Sequence, residues 1–423
     1  MLDIKLIREK PDLVRQAVRA KQMEVDVDRL LELDQGRRAL LTKIESLRSV
    51  QNKTSLDIAG AETKRKQELI ARMKEVSREL KELEPKLQEA EDELQGLMLL
   101  LPNPPHESVP LGKDENENVV LRSWGKTKDF DFEPQDHVTI GKNLGLIDIE
   151  RGAKVSGARF YYLKKEAVLL ELALVRWVME LLAKKGFVPI IPPVLVKGQI
   201  MEGGGYLPAG EEEIYKTTRD DLYLVGTSEQ SILGLYSAEI LEENRLPLRY
   251  AGFSSCFRRE AGSYGKDVRG IFRVHQFDKV EMFSFSAPEK SWEELEFFLS
   301  LEEEIMRSLK LPYQVVVMCT GDLGPPAAKK YDIEAWMPGQ GRYRETHSTS
   351  NCTDFQARRL NIKYRRGKEN RFLHTINGTA VAIGRTLIAI LENYQNEDGS
   401  VTIPEVLRPY LGIDKILPSS SSS

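Results

Sequence analysis

The chain has 423 residues, enough for two or three domains with a sizeable hydrophobic core. Apolar residues make up 41% and charged residues 30% of the sequence, as in soluble globular proteins. The net charge of −4 excludes a protein that coats nucleic acid with its whole surface. Any contact with RNA would therefore depend on a local basic patch.

The cysteines and the apolar segments bear on the compartment. Cys256, Cys319 and Cys352 are far apart and form no CxxC pair, which favours a reducing environment and gives no zinc signature. The N-terminus lacks the apolar stretch of a signal peptide. Ala167 to Ala183 is the most apolar helical stretch, but charged residues interrupt it, so it predicts a core helix and not a membrane span. We expect a cytoplasmic protein without a membrane segment.

Residues 1–103 are predicted to form a helical arm. Two apolar tracks follow a heptad spacing, and a segment around Gly60 between them predicts a reversal of the chain. We therefore expect an antiparallel helical coiled coil of about 45–50 Å, at a rise of about 1.5 Å per residue. Pro85, inside the second helix, should kink it or destabilise it by about 3 kcal/mol. The tracks are Leu33, Leu40, Ile44, Leu47 and Ile58, then Leu69, Met73, Val76, Leu80, Leu83, Leu87, Ala90, Leu94, Leu97 and Leu101.

The arm has more than one functional interpretation. Basic residues outnumber acidic ones between Lys5 and Lys21 and could form a patch that faces RNA phosphates. A solvated helix face would have the same composition. A heptad seam of this length would equally suit a coiled coil that only dimerises, so the sequence leaves these alternatives open.

A linker is predicted between the arm and a second domain. Prolines from Pro102 to Pro105 and the charged run from Lys113 to Glu117 are typical of a connecting segment, which we place at 104–119. Helices and strands then mix over residues 120–418. The low-complexity serine tail, 419–423, is predicted to be disordered.

Two segments early in the second domain combine turn residues with polar groups. Met201–Tyr206 contains three glycines and is predicted to be a flexible loop, a hinge more than a phosphate cradle. Leu222–Val225 is a predicted strand that leads to Thr227, Ser228 and Glu229. Their hydroxyls and carboxylate could hold an ammonium group, although helix capping by a hydroxyl is the ordinary alternative.

The most informative stretch is an arginine-rich hairpin. Two predicted strands, Leu248–Phe253 and Val280–Phe285, are connected through a polar loop at 261–270. Arginine binds phosphate and carboxylate groups in a bidentate manner, and no block of acidic residues lies nearby in sequence. The loop could cover an anionic ligand, or it could be a charged surface that contacts nucleic acid. The anion-binding set is Arg258, Arg269 and Arg273, with Glu260 among them.

Two later segments could complete a phosphate site. Glu345–Ser348 follows a predicted strand, and its carboxylate and hydroxyl could share Mg²⁺, which usually takes one or two protein oxygens plus phosphates. Asn377–Thr379 and Ala382–Leu391 predict a strand, a turn and a helix. Arg385 would lie in the first turn of that helix, where a cation gains nothing from the helix dipole, so it suggests a bound anion, with a surface arginine as the alternative.

These residues carry a family resemblance. The stretch FRRE followed by RVHQF closely resembles motif 2 of class II aminoacyl-tRNA synthetases, and the pattern GxxGKDxRGxxRxHQFxKVE resembles the seryl-tRNA synthetase family of the bacterial type. The strand that ends at Pro193 resembles motif 1 of that class, and the segment around Arg385 resembles motif 3. The linker, PNxPHxSVPxGxDExxN, and the helical arm are also similar to that family.

The resemblance implies a fold and a reaction. The implied fold is α+β: the helical arm and a class II catalytic domain with an antiparallel sheet flanked by helices, assembled as a homodimer. The implied reaction is ATP- and Mg²⁺-dependent activation of L-serine to seryl-adenylate, followed by transfer to the 3′ end of tRNA(Ser), with tRNA(Sec) as a second candidate. In the family the arm reaches the long variable arm of the tRNA.

The resemblance also implies roles for individual residues. Arg258, Glu260 and Arg385 would be catalytic, and Glu345 and Ser348 would bind the metal. His347 would lie at the ATP site without a chemical role. The implied serine-binding residues are Thr227, Ser228, Glu229, Arg258, Glu281 and Thr379. The implied ATP-binding residues are Arg258, Arg259, Glu260, Val274, Phe277, Glu345, Thr346, His347, Ser348 and Arg385.

Two other functions fit parts of the sequence. One is an RNA-binding relative that has lost catalysis, but Arg258, Glu260, Glu281, Glu345 and Arg385 are all intact. The other is a ligase that charges a carrier protein, but class II relatives of that kind lack the arm. Serine-dependent ATP–pyrophosphate exchange would separate these functions.

Overall fold

The computed structural model describes residues 1–261 and 269–418. The chain divides into a helical unit, Leu2–Arg19 with Met23–Pro102, and a mixed unit that contains Met1, Ala20–Gln22 and the chain from Asn103 onward. The predictions for loop residues 262–268 and for the serine tail at 419–423 lie outside the described residues.

Four helices form the helical unit. The two long ones are connected by only two residues, and ion pairs link the start of one to the end of the other, so they run antiparallel: Arg29 contacts Glu93 at 2.8 Å, and Lys43 contacts Glu79 at 2.6 Å. Ile44 packs in a core with Val76 and two leucines of the second helix, as the apolar tracks predicted. The helices are α1 (Ile4–Glu9), α2 (Pro11–Ala20), α3 (Val27–Gly60) and α4 (Thr63–Leu100).

Pro85 does not end the second long helix. Helix α4, which is 38 residues long, continues through Pro85, and this residue lies on the exposed side of the helix. Proline has no N–H to donate to the carbonyl of Lys81, four residues earlier in the helix. This carbonyl is on the exposed side, where water can hydrate it. Exposure explains why the helix tolerates this residue.

The mixed unit combines nine helices and seventeen strands among its described residues. The helices are α5 (His137–Asn143), α6 (Ile149–Ser156), α7 (Glu166–Lys184), α8 (Gly198–Gly204), α9 (Ser228–Leu233), α10 (Ser291–Ser308), α11 (Phe355–Arg359), α12 (Ile383–Asn393) and α13 (Arg408–Leu411). The strands are β1 (Val119–Trp124), β2 (Ile147–Asp148), β3 (Tyr162–Leu163), β4 (Val188–Ile190), β5 (Leu195–Lys197), β6 (Leu222–Leu224), β7 (Ile240–Glu242), β8 (Leu248–Phe257), β9 (Gln276–Ser286), β10 (Tyr313–Val317), β11 (Lys329–Met337), β12 (Arg342–Asn351), β13 (Lys363–Arg366), β14 (Glu369–Phe372), β15 (His374–Ala382), β16 (Val401–Thr402) and β17 (Lys415–Ile416).

An eight-stranded sheet organises this unit. Its strand order is β1-β10-β11-β12-β15-β9-β8-β4, and every neighbouring pair is antiparallel except β4 with β8 at one edge. The α+β class and the antiparallel sheet with flanking helices are therefore confirmed, with one parallel edge strand added. Smaller sheets of two or three strands surround it.

Helices α7, α10 and α12 supply the largest hydrophobic core together with the sheet. In α7, Leu170, Leu174, Val178 and Leu182 recur every four residues and are fully buried, which is the pattern of an amphipathic core helix. Over residues 1–261 and 269–418, none of the helices combines the length and apolar character needed to cross a membrane.

One predicted loop is a helix. Met201 to Gly204 belong to α8, and three of these four residues are buried. A Cβ atom on Gly203 would lie 2.3 Å from the Leu360 side chain, so glycine is needed there for close packing and not for flexibility. The prediction of a hinge was wrong because this tertiary contact cannot be deduced from a glycine-rich sequence.

The core predicts a large effect of shortening Phe298 in α10. Its ring is fully buried and lies 5.4 Å from the ring of Phe187. Phe298→Ala should lower the free energy of unfolding of the mixed unit by about 3–5 kcal/mol, because it removes buried contacts and leaves a cavity. Leu111→Ala, at a side chain that is 83% exposed, is the control and should leave the urea midpoint unchanged. Equal midpoints for the two variants would contradict the assigned core.

Candidate active site

The hairpin of β8 and β9 forms one wall of the site. The strands pair without interruption from Leu248 opposite Phe285 to Phe257 opposite Gln276, which confirms and extends the two predicted strands. Beyond this last pair, Arg258 N donates to the His275 carbonyl at 3.0 Å, and His275 Nδ1 lies 2.9 Å from the Arg258 carbonyl. These contacts fix the backbone that carries Arg258.

A cleft of ≈ 200 Å³ opens beside this hairpin. It brings together residues of β9, β11, β12, β15 and α12 with residues that follow β8 or precede β9, up to 127 residues apart in sequence. Ten of the residues predicted for the site line it: Arg258, Glu260, Arg273, Val274, Phe277, Glu345, Thr346, Ser348, Thr379 and Arg385. The rest of the lining is Ile271, Phe272, Lys279, Lys330, Ala382 and Gly384.

A bulge in β12 determines which side chains reach the cleft. Ile333 pairs with His347 and Glu334 pairs with Glu345, so Thr346 is an extra residue in the ladder. Glu345 and Ser348 therefore face the cleft, whereas His347 points away from it. The prediction that this segment follows a strand was wrong, because Glu345–Ser348 lies inside β12.

Arg385 joins three parts of the cleft. Its guanidinium lies 3.0 Å from Glu345 Oε2, and its Nε donates to the Phe272 carbonyl at 3.4 Å. It also lies 4.6 Å from the centre of the Phe272 ring, with Arg344 3.7 Å from the same ring. Because β15 ends at Ala382 and α12 begins at Ile383, the predicted turn is absent, and Arg385 is in the first helical turn as predicted.

The charge of Glu345 is held by its cationic neighbours. Desolvation by the surrounding protein opposes ionisation, but Arg385 and Lys330 outweigh it and lower the pKa of Glu345 to about 2. The side chain still exposes 41% of its surface. A carboxylate that is ionised and accessible at neutral pH is the form that a divalent cation requires.

Arg258 and Glu260 line the cleft from the segment that follows β8. Arg258 Nε donates to the Gly226 carbonyl at 3.3 Å, and its guanidinium lies 5.3 Å from the centre of the Phe277 ring. Glu260 has a positive φ of 53° and pairs with Arg273 at 3.0 Å. The guanidinium of Arg258 is thus oriented by a carbonyl and an aromatic face.

A buried polar group lies deeper, around Glu229 and Glu281. Glu229 accepts hydrogen bonds from Tyr206 Oη at 2.9 Å and from Gln356 Nε2 at 2.7 Å, and burial together with the nearby Glu281 raises its pKa. Glu281 forms an ion pair with Lys279, and it lies opposite Thr379 in the pairing of β9 with β15. This arrangement offers hydrogen-bonding groups for a small polar ligand.

Two of the predicted serine-binding residues have structural partners. Thr227 is the N-cap of α9, and its hydroxyl accepts from Glu229 N at 3.4 Å, so the capping alternative is observed. The Ser228 hydroxyl donates to the Gly252 carbonyl at 3.1 Å and is fully buried. Neither of them lines the cleft.

Two of the predicted ATP-binding residues also do not line the cleft. Arg259 N donates to the Glu213 carbonyl at 2.9 Å, and its guanidinium lies 5.8 Å from the Tyr215 ring. His347 is buried with its Nδ1 2.8 Å from Thr346 Oγ1, and burial lowers its pKa to about 4. His347 is therefore neutral at physiological pH.

Four lining residues were not identified from the sequence: Ile271, Phe272, Lys279 and Lys330. Lys279 could have been found, because it is a fixed position of the pattern that ends in KVE and lies two residues before Glu281, so an extended chain places both on the same side. Lys330 pairs with Asp332 at 3.3 Å in β11, and no motif marks this pair. Residues 1–261 and 269–418 contain no group of three or more His, Cys, Asp or Glu placed to hold a metal ion.

Two family models match the sequence. The tRNA synthetase class II core domain (G, H, P, S and T) matches residues 213–394, which include every residue that lines the cleft. The mixed unit is therefore that of a class II aminoacyl-tRNA synthetase. The seryl-tRNA synthetase N-terminal domain matches residues 1–105.

Similarity to known proteins extends over the whole chain. A serine–tRNA ligase of Thermodesulfovibrio yellowstonii is 49% identical over 98% of this chain and 100% of its own. A seryl-tRNA synthetase of Pyrococcus horikoshii, solved with ATP, has a TM-score of 0.93 and 46% identity over 99% of this chain and all of its own. A cytoplasmic serine–tRNA ligase of Naegleria fowleri, solved with AMP, has a TM-score of 0.88 and 37% identity over 99% of both chains. The chain belongs to the seryl-tRNA synthetase family, as the resemblance implied.

The buried ion pair predicts a stability effect that a double variant can isolate. Lys279→Met should lower the free energy of unfolding by about 3–5 kcal/mol, because it leaves the Glu281 carboxylate buried and unpaired. Adding Glu281→Gln removes that charge and should recover part of the loss. Lys310→Met, in an exposed pair with Glu405, should cost at most about 1 kcal/mol. Urea denaturation measures all of them, and no recovery in the double variant would contradict the pairing.

Proposed function

We propose that this chain activates L-serine with ATP and transfers the seryl group to tRNA(Ser). One serine carboxylate oxygen attacks the α-phosphorus, the bond from that phosphorus to the bridging oxygen breaks, and pyrophosphate leaves. A ribose hydroxyl of the terminal adenosine then attacks the carbonyl carbon, and AMP leaves. The observation that supports this proposal best is a cleft with five cationic side chains next to a buried polar group around Glu229 and Glu281.

Neither step needs an enzyme nucleophile, so positioning and charge compensation must supply the catalysis. Arg258 would hold the serine carboxylate and the α-phosphate together. Arg385 would compensate the charge that develops on the departing pyrophosphate. The two guanidinium groups line the same cleft, which suits a substrate that binds to both.

The adenosine end of ATP would lie against the motif 2 residues that line the cleft. Val274 and Phe277 provide apolar lining there, and Glu260 provides a carboxylate that can accept a hydrogen bond from the exocyclic amine of adenine. The ion pair of Glu260 with Arg273 fixes the position of this carboxylate. We therefore keep Glu260 among the catalytic residues and Val274 and Phe277 among the ATP-binding ones.

Glu345 and Ser348 fit a Mg²⁺ ion bound with ATP. Both line the cleft, and the Glu345 carboxylate is ionised and partly open. Mg²⁺ usually takes few protein oxygens and keeps phosphates and water as its other ligands, so two oxygens are sufficient. When bound, the metal would neutralise part of the phosphate charge, and Arg385 would neutralise another part.

Serine would be recognised by the deeper polar group. Glu229 would accept from the ammonium group, with Thr227 and Ser228 supporting the start of α9 around it. Thr379 and Glu281, which lie opposite each other in the sheet, would bind the side-chain hydroxyl. A site built for a hydroxyl rejects alanine strongly, because its polar groups would be left unpaired.

A homodimer would cover an apolar surface of the mixed unit. Val168, Leu169 and Leu172 on α7 and Val188 and Ile191 at the β4 edge are exposed, and Ile191 reaches 81%. Exposed apolar groups concentrated on one helix and one edge strand indicate a protein interface. We propose that this surface, which includes the motif 1 strand, is shared by two copies.

The arm would bind tRNA in this proposal. We assign residues 1–103 to the arm, 104–119 to the linker and 120–418 to catalysis. A shallow groove on α4 contains Lys74, Arg78 and Lys81 beside Ile70 and Met73, and such a surface suits RNA phosphates. The same contacts could serve tRNA(Ser) or tRNA(Sec). Buried free thiols at all three cysteines fit a cytoplasmic location.

The activation step is tested by serine-dependent ATP–pyrophosphate exchange. Arg258→Ala and Arg385→Ala should each slow exchange by a factor of about a hundred or more, because each removes a cation aimed at phosphate charge. Arg366→Ala, in an exposed pair with Glu289, is the matched control and should keep full exchange. Near-normal exchange in either cleft variant would contradict its role. Absence of exchange by the intact chain with serine would contradict the activity itself.

The transfer step is tested by shortening the arm. Replacing residues 41–86 with a short Gly/Ser bridge keeps the mixed unit intact, so exchange should persist while transfer to tRNA collapses. Binding of tRNA by the intact chain should also weaken steeply with salt, because lysine and arginine displace counterions. Light scattering decides the alternative: an arm that only dimerises predicts monomers in which both activities fail. Transfer at the intact rate would refute the RNA-binding role.

A further inference from the structure

Helix α12 makes a second set of contacts two turns beyond Arg385. Glu392 is fully buried, and its Oε1 accepts from the His137 backbone N–H at 3.1 Å and from His137 Nδ1 at 3.0 Å. Its Oε2 accepts from the Gly339 N–H at 3.0 Å. Glu392 thus holds the start of α5 and orients the His137 ring, with neither oxygen left unpaired.

The other ring nitrogen of His137, Nε2, contacts a segment that lines the cleft proposed for ATP. Ile271 N–H donates to His137 Nε2 at 3.2 Å, and Ile271 lines the cleft. Since Nε2 accepts this bond and the Glu392 carboxylate can only accept, the ring must carry its proton on Nδ1. A Cβ atom on Gly270 would lie 2.1 Å from Nε2, so glycine, with its φ of +89°, is required for this approach.

The segment 270–272 is therefore tied to α12 at two points. Arg385 bonds the Phe272 carbonyl directly, and Glu392 reaches the Ile271 N–H through His137. Residues 385 and 392 are seven positions apart and so lie on the same face of the helix. The segment that precedes β9 supplies Arg273, and α12 supplies Arg385. The two contacts fix the position of this segment relative to α12.

We propose that His137 is a positioning residue for adenylate formation. It holds the segment 270–272, which forms part of the cleft proposed for ATP, in place against α12. The inference rests on the proposed function for its substrate. Packing alone does not account for this histidine, because an apolar side chain of similar size would fill the space but leave the buried Ile271 N–H without an acceptor and remove one of the two donors to Glu392 Oε1. The serine-binding residues on β9 and β15 do not depend on this link.

A matched pair of variants separates the two bonds of the ring. The terminal amide of glutamine reaches the position of Nε2 and can accept from Ile271, whereas asparagine reaches only the position of Nδ1 and can bond only Glu392. In serine-dependent exchange, His137→Asn and His137→Ala should each raise the KM for ATP about tenfold, because both variants lose the buried hydrogen bond from the Ile271 N–H. The KM for serine should stay within twofold of the intact value, and His137→Gln should restore the KM for ATP.

A second measurement does not depend on activity. In spectra of protein with ¹⁵N-labelled histidine, the ring signal that disappears in His137→Ala should be that of an Nδ1–H tautomer with Nε2 as acceptor. His106→Ala, at a surface ring bonded to Ser108, is the control and should change neither KM.

The outcomes separate this proposal from the function on which it rests. Parallel losses in kcat without a selective rise in the KM for ATP would show a merely structural residue and overturn the proposal. Failure of His137→Gln to restore the KM for ATP, or an Nε2–H tautomer, would also overturn it. No serine-dependent exchange by the intact chain would refute the proposed function, and the tautomer would still test the Ile271 contact.

Discussion

Strand β9 has to bury opposite charges near the centre of a sheet, and this constraint shapes the whole catalytic unit. Lys279 and Glu281 are 5% and 2% exposed, and each would be strongly destabilising without the other. Because side chains alternate along a strand, both face one side while Val280 and Met282 enter the hydrophobic core on the other. The antiparallel neighbours β8 and β15 fix this alternation, so a shift by one residue would place the charges in the core.

The same strand connects the two parts of the site. Its N-terminal end directly follows Arg273 and His275 in the chain, and Glu281 in its middle lies opposite Thr379. Helix α12 follows directly from β15, so the geometry of β9 and β15 also determines where Arg385 points. The cleft is consequently a product of strand register, and its cations have carbonyl, carboxylate and aromatic partners.

Much of this arrangement could be predicted from the sequence, where local pattern and tertiary structure agree. The β8–β9 hairpin, α7 and α12 have apolar periodicities that match their burial, and the two long arm helices follow their heptads. The failures have physical causes. The segment Glu345–Ser348 is too polar to show a strand pattern, because it is a strand that lines a polar cleft. The glycines of α8 were interpreted as flexible, whereas Gly203 is required by contact with Leu360.

The candidate site was less predictable than the fold, because its properties depend on which charges converge. Five cationic and two acidic side chains line the cleft, a local surplus of three positive charges in a chain whose net charge is −4. Charges separated by more than about 8 Å are largely screened at physiological ionic strength, so the distant acidic surface contributes little inside the cleft. Lys279 and Lys330 supply two of the five cations, and neither was assigned a role from the sequence. The positive charge of this cleft is therefore a property of the folded sheet, which gathers cations that the sequence keeps far apart.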